Sequence, residues 1–143
     1  MKKAASLLIA FVLMLTFSTG AFAAKGIADT KESALDLVVN RDMSLYILDS
    51  SDKDWYKWEN NTGKMQSFFS YLRPLDDFEG FRYGFTIKYK DNTTTSMFYA
   101  DPKPGPAHVV DRLYLPPGAT IYFQVEKLNN KSSQYNIYFL NFD

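Results

Sequence analysis

The chain has 143 residues, balances 16 basic against 16 acidic side chains, and contains no cysteine, one histidine and 17 % aromatic residues. Zero cysteine excludes disulfide staples, a Cys-ligated zinc or iron–sulfur centre and a thioether lipid anchor, and one histidine excludes a three-histidine metal site. Charges of both signs are scattered along the chain, so no basic stripe exists to grip a phosphate backbone, and nucleic acid is not an expected partner.

The first predicted element is a leader. Lys2 and Lys3 precede an uncharged apolar run over residues 7–17, which the small-x-small triplet Ala21-Phe22-Ala23 follows. These are the three parts of a secretory signal peptide cleaved after Ala23. The run is well short of the roughly 20 residues that a membrane helix needs, and no other segment has the length, so no membrane span is expected. Removing residues 1–23 takes away two lysines and no acid, which leaves 120 residues of net charge −2. That length suits one domain around one core, residues 24–143, exported to the extracellular side.

Residues 27–39 are ambiguous, since 30–38 fits two helical turns as well as an extended lead-in strand. From residue 43 onward apolar residues recur with period two, interrupted by turn chemistry every eight to twelve positions, as in an all-β sandwich or barrel. Strands are expected over 43–48, 55–59, 64–72, 81–90, 94–99, 109–115, 120–127 and 135–142. The clearest is 81–90: Phe81, Tyr83, Phe85, Ile87 and Tyr89 point one way and Arg82, Gly84, Thr86, Lys88 and Lys90 the other, because successive strand side chains alternate between faces. Asp91-Asn92-Thr93 then predicts a hairpin into 94–99. Other breaks fall at Asn60-Asn61-Thr62-Gly63, in the proline-rich 101–106, at Pro116-Pro117-Gly118 and over 129–133.

Taken in order, four segments resemble the bacterial pre-peptidase C-terminal domain and its relatives, the collagen-binding domains of clostridial collagenases. They are Glu32-Ser-Ala-Leu-Asp-Leu37, Asp52-Lys-Asp-Trp-Tyr-Lys-Trp58, Leu113-Tyr-Leu-Pro-Pro-Gly118 ahead of Ile121-Tyr-Phe-Gln-Val125, and Gln134-Tyr-Asn-Ile-Tyr-Phe139. The likeness spans most of residues 28–140. It implies a jelly-roll-like antiparallel β-sandwich of about eight strands, without catalytic residues, and with Tyr56 and Trp58 turned inward.

Asp49, Asp52 and Asp54 precede those aromatics. Aspartate and serine favour the turn ahead of a strand, which is one account of them. A hard cation is the other, because calcium gathers several carboxylate and carbonyl oxygens at about 2.3–2.6 Å. The resemblance implies calcium held by the lead-in and this turn together, at Asp29, Glu32, Asp52 and Asp54.

Catalysis is not expected. The one histidine, His108, sits at a strand start without a recognisable triad, and the Asp76, Asp77 and Glu79 group reads as a solvated turn rather than a pair of acids flanking a sugar bond. Recognition is the better expectation, through aromatics that alternation turns outward: Trp55, Tyr114 and Tyr122, with Tyr138 from a last strand that is apolar on both sides. The function expected is therefore a secreted binding or adhesion module for an extracellular protein or polysaccharide. The alternative is an inhibitor or secretion-associated chaperone of an exported enzyme, using the same aromatics on a protein partner.

Overall fold

The computed structural model describes residues 26–100 and 107–142. The expected leader and the proline-rich segment lie outside them. The described residues form nine strands: β1 (Leu35–Asp36), β2 (Arg41–Ile47), β3 (Lys53–Glu59), β4 (Gln66–Pro74), β5 (Phe81–Lys88), β6 (Phe98–Tyr99), β7 (His108–Leu115), β8 (Thr120–Lys127) and β9 (Ser133–Phe142). They make two separate sheets, a first of order β1-β3-β8-β5-β6 and a second of order β2-β9-β4-β7, packed as an open β-sandwich. Among the described residues no helix is long and apolar enough to cross a membrane.

Alternation builds the core. The first sheet turns Tyr56, Tyr83, Ile121, Phe123 and Val125 inward, and the second turns Phe68, Leu72, Leu115, Tyr135, Ile137 and Phe139, all buried. Phe123 sits at the centre. Tyr83 stacks on it at 5.3 Å, while Phe68 and Phe139 meet it edge-on from the facing sheet at 6.2 and 6.0 Å. Each such aromatic contributes roughly 2–3 kcal/mol through area removed from water. The last strand resolves the competition in its sequence: Tyr135, Ile137 and Phe139 point inward, leaving Tyr138, Leu140 and Phe142 for the outer face.

Two expectations need correction. Of the two forms open to the lead-in, the helix is not found and the strand is only two residues long: the segment turns once over 30–34, then pairs Leu35 and Asp36 in parallel with Tyr56 and Lys57 of β3, against the antiparallel rule of the other pairs. The hairpin after β5 keeps its turn, which Asp91 closes by accepting from the Thr93 amide at 2.9 Å, but the return strand shrinks to Phe98–Tyr99. The cause lies in Thr95, whose Oγ1 accepts from the Ile87 amide at 3.0 Å and so takes the place of a backbone ladder partner. The chain then passes over Gly84, where a Cβ would lie 2.8 Å from the sulfur of Met97 and 3.0 Å from the Tyr99 ring. Only glycine leaves room for that crossing.

Candidate functional site

Asp52 and Asp54 straddle the start of β3, and the lead-in brings a third carboxylate to them. The Trp55 amide donates to the Ala28 carbonyl at 2.9 Å, which fixes Asp29 beside the same strand end. One carboxylate oxygen from each of Asp29, Asp52 and Asp54 lies within 4.8 Å of the others. That span equals about twice a calcium–oxygen bond, the largest separation that ligands of one calcium ion show. Asp52 and Asp54 are each 2 % exposed. The Oδ1 atoms of Asp29 and Asp52 are buried without a hydrogen-bond partner among the described residues, although Asp52 Oδ2 accepts from the Leu48 amide at 2.8 Å. Gly26 closes the cluster, since a Cβ there would lie 2.9 Å from Asp29 Oδ1 and 3.0 Å from Asp52 Oδ1.

Buried, converging carboxylates repel one another and lack solvation. Burial first, then the charges of Asp52 and Asp29, push the Asp54 carboxyl up to about 7, against the hydrogen bond from Tyr135 that pulls it down. All-oxygen donors, two of them unsatisfied among the described residues, suit a hard divalent cation of the calcium type. Glu32 does not join them. Thr30 and Ser33 bond each other through backbone and side chain in a tight turn that holds Glu32 at its exposed apex. Asp49 lies outside the cluster as well, capping its own turn through the Ser51 amide at 2.8 Å.

The aromatic candidates divide between opposite faces of the sandwich. Trp55 and Tyr122 lie on the outer face of the first sheet and Tyr114 and Tyr138 on that of the second, so the four make no single patch. Trp55 is half-buried beside a charged row, where Glu126 accepts from Lys53 at 2.7 Å and from Arg82 Nε at 2.6 Å. Burial raises the Glu126 carboxyl, but the two cations outweigh it and hold the group below the ordinary value. Tyr122 is covered by the lead-in, with Lys31 Nζ 4.5 Å from its ring centroid.

The second sheet is different. Tyr138 stacks on Tyr71 of β4 at 5.3 Å with planes 25° apart, and Phe69 meets Tyr71 at 6.0 Å. With Leu140, Phe142 and the 65 % exposed Tyr114, these rings cover much of the outer face from β9 to β7. Phe69 and Tyr71 escaped the sequence reading, although the alternation of Phe69, Tyr71 and Arg73 against Phe68, Ser70 and Leu72 carries them.

His108 is buried in β7. Its ring is tied to the Ala100 backbone, burial lowers its pKa, and Nδ1 has no partner among the described residues. Asp77, from the acidic group before β5, is engaged by the fully buried Lys127 at 2.5 Å and by Asn129 at 2.7 Å. That engagement locks the loop; it does not leave a free acid facing a cleft.

No protein-family profile matches the chain, and no curated protein matches it. Solved structures do. The chain is similar to the pre-peptidase C-terminal domain of a collagenase from Bacillus anthracis, with a TM-score of 0.58 at 14 % identity over 74 % of this chain and 93 % of that one. It is also similar to the Yersinia pseudotuberculosis-derived mitogen, with a TM-score of 0.50 at 11 % identity over 70 % and 84 %. At these identities the likeness concerns the fold, and the fold of this chain is that of a pre-peptidase C-terminal β-sandwich.

Proposed function

We propose that the protein is a secreted, non-catalytic binding module that holds calcium between Asp29, Asp52 and Asp54 and docks an extracellular protein on the outer face of its second sheet. The observation that carries the reading is that aromatic face. Charge enters it at Asp42, which accepts from the Tyr71 hydroxyl at 2.9 Å, at Arg73, and at Arg112 beside Tyr114 and Phe142, and a surface of rings edged by charge in this way favours a protein partner that covers it. Protein is preferred to polysaccharide because Tyr71 and Tyr138, 5.3 Å apart and nearly parallel, each turn one ring face to the other. Such a pair presents ring edges and hydroxyls outward, whereas sugar rings stack on open faces. The Bacillus anthracis neighbour, a terminal domain of a collagenase, is in keeping with a module that acts through contact.

The test is to immobilise residues 24–143 in calcium, pass culture supernatant and solubilised envelope over them, and separately incubate them with insoluble polysaccharides. The expected result is protein capture that Tyr114→Asp combined with Tyr138→Asp removes and Trp55→Ala leaves intact. Polysaccharide binding abolished by Trp55→Ala would transfer the function to the first sheet. A tight one-to-one complex with an exported enzyme would make the partner an enzyme under inhibition or escort.

A further inference from the structure

Sheet edges are sites of unwanted pairing, and three of the four here are blunted. β1 and β6, the margins of the first sheet, are two residues long. β7, one margin of the second, is broken by a register shift against β4 and by Arg112 at φ 49°, next to the charged Asp111. β2 is the exception. It pairs with β9 on one side through seven successive residues without a shift, and no described strand pairs with its other side. It has no proline, and residues 43–47 carry no charge. Met43 and Leu45 on its inner side pack against the core but are only partly buried. On the outer side Tyr46 is 63 % exposed.

We propose that β2 is a homodimer edge, pairing antiparallel with β2 of a second copy about a two-fold axis through Ser44. The strand is self-complementary in that register. Met43 lies opposite Leu45 of the second copy on the inner side, which continues the apolar row. Asp42 lies opposite Tyr46, Arg41 opposite Ile47, and Ser44 opposite itself, so no like charges meet. Moving the axis to Asp42 would set that carboxylate against its own copy. Moving it to Met43 would put Tyr46 opposite Asn40, which leaves the strand at φ 61°. The Ser44 register is the one that uses all seven residues, and the occupant the edge selects is therefore its own copy.

The native chain has no cysteine, so Ser44→Cys introduces a lone thiol, and opposed residues of antiparallel strands fall within disulfide reach. Mild oxidation is expected to give a disulfide-linked dimer at least an order of magnitude faster than the exposed Lys64→Cys control. Sedimentation from micromolar to several hundred micromolar protein is expected to give a dimer mass. Tyr46→Asp, which faces Asp42 across the axis and leaves the monomer's core untouched, is expected to return it to monomer, while Tyr46→Lys keeps the dimer. A monomer throughout that range, equal crosslinking of the two thiols, or a dimer indifferent to Tyr46→Asp would overturn the proposal.

Discussion

Tyr135 of β9 donates its phenolic hydrogen to Oδ2 of Asp54 on β3, joining the second sheet to the first beneath the carboxylate cluster. Tyr56 meets the same phenol. When Asp54 is ionised, Tyr135 gives its one hydrogen to the carboxylate and Tyr56 then donates to Tyr135. The two tyrosines thus orient Asp54 from inside the core, as outer-shell donors orient metal-binding side chains. Tyr135→Phe is expected to lower stability by about 1–3 kcal/mol, the cost of leaving buried polar partners unmet. It is also expected to weaken calcium binding roughly tenfold. Denaturant unfolding in chelator reads the first effect and calorimetric titration the second. Native affinity in the variant would refute the link between core and cluster.

Calcium should stabilise the folded chain alone, because the unfolded chain does not bring Asp29 to Asp52. At a hundredfold excess over Kd the gain is about 2.7 kcal/mol, or a rise in Tm on the order of 10 °C for a domain of this size. Asp52→Asn separates the roles of charge and shape. Asparagine keeps an oxygen to accept from the Leu48 amide but removes one buried negative charge. In chelator the variant should melt no lower than the native protein, and in calcium it should melt below it. Parallel shifts in both media would mean that the carboxylates serve the fold and hold no ion.

The strands were legible where one face is polar or small, because such residues mark the alternation even where they are covered, as Gly84 and Thr86 are: in 81–88 every inward residue of the core could be named from the sequence. The short strands were not. β6 is limited by Thr95 occupying a ladder position with its side chain, and β1 exists only because Leu37 donates to the Lys57 carbonyl at 2.8 Å, a long-range bond that leaves no local periodicity. Three of the four acids expected at the cluster converge. Glu32 departs because a turn of serine and threonine, rather than a strand, carries it. Face membership of Trp55, Tyr114, Tyr122 and Tyr138 followed from alternation within each strand. Their division between two outer faces depends on which sheet each strand joins, and no single strand encodes that.

Glu126 supplies a pH dependence of known sign. Lys53 and Arg82 hold its carboxyl below the ordinary glutamate value of 4.5 in spite of burial. A group depressed in the folded state adds stability above its unfolded pKa, and that stability is lost as pH falls through the folded value. Stability measured in chelator should therefore drop between about pH 5 and pH 3 more steeply for the native chain than for Glu126→Gln. Both cations are nearly half exposed, so salt should shrink the difference. Equal slopes at low salt would remove Glu126 from the acid response.

Gly84 gives the sharpest steric prediction. Its register partners across the first sheet are Gln124 of β8 and Tyr99 of β6, with Met97 lying against its outer side. A methyl group there meets the Met97 sulfur at 2.8 Å and two Tyr99 ring carbons at 3.0 and 3.1 Å. The sulfur ends a flexible side chain and can swing away. The ring, although 46 % exposed, has less freedom to follow, because Tyr99 pairs with Gly84 in the ladder and packs against Arg82, whose guanidinium carbon is 4.5 Å from the ring centroid. Gly84→Ala should then cost about 1–3 kcal/mol, the usual range for overpacking, and hydrogen exchange should accelerate at the Ala100 amide, which donates to Tyr83 at 2.8 Å. Tyr99→Ala in the same chain should recover part of the loss, because the coupling runs through one contact. Additive losses in the double variant would place the strain elsewhere in the β5–β6 crossing.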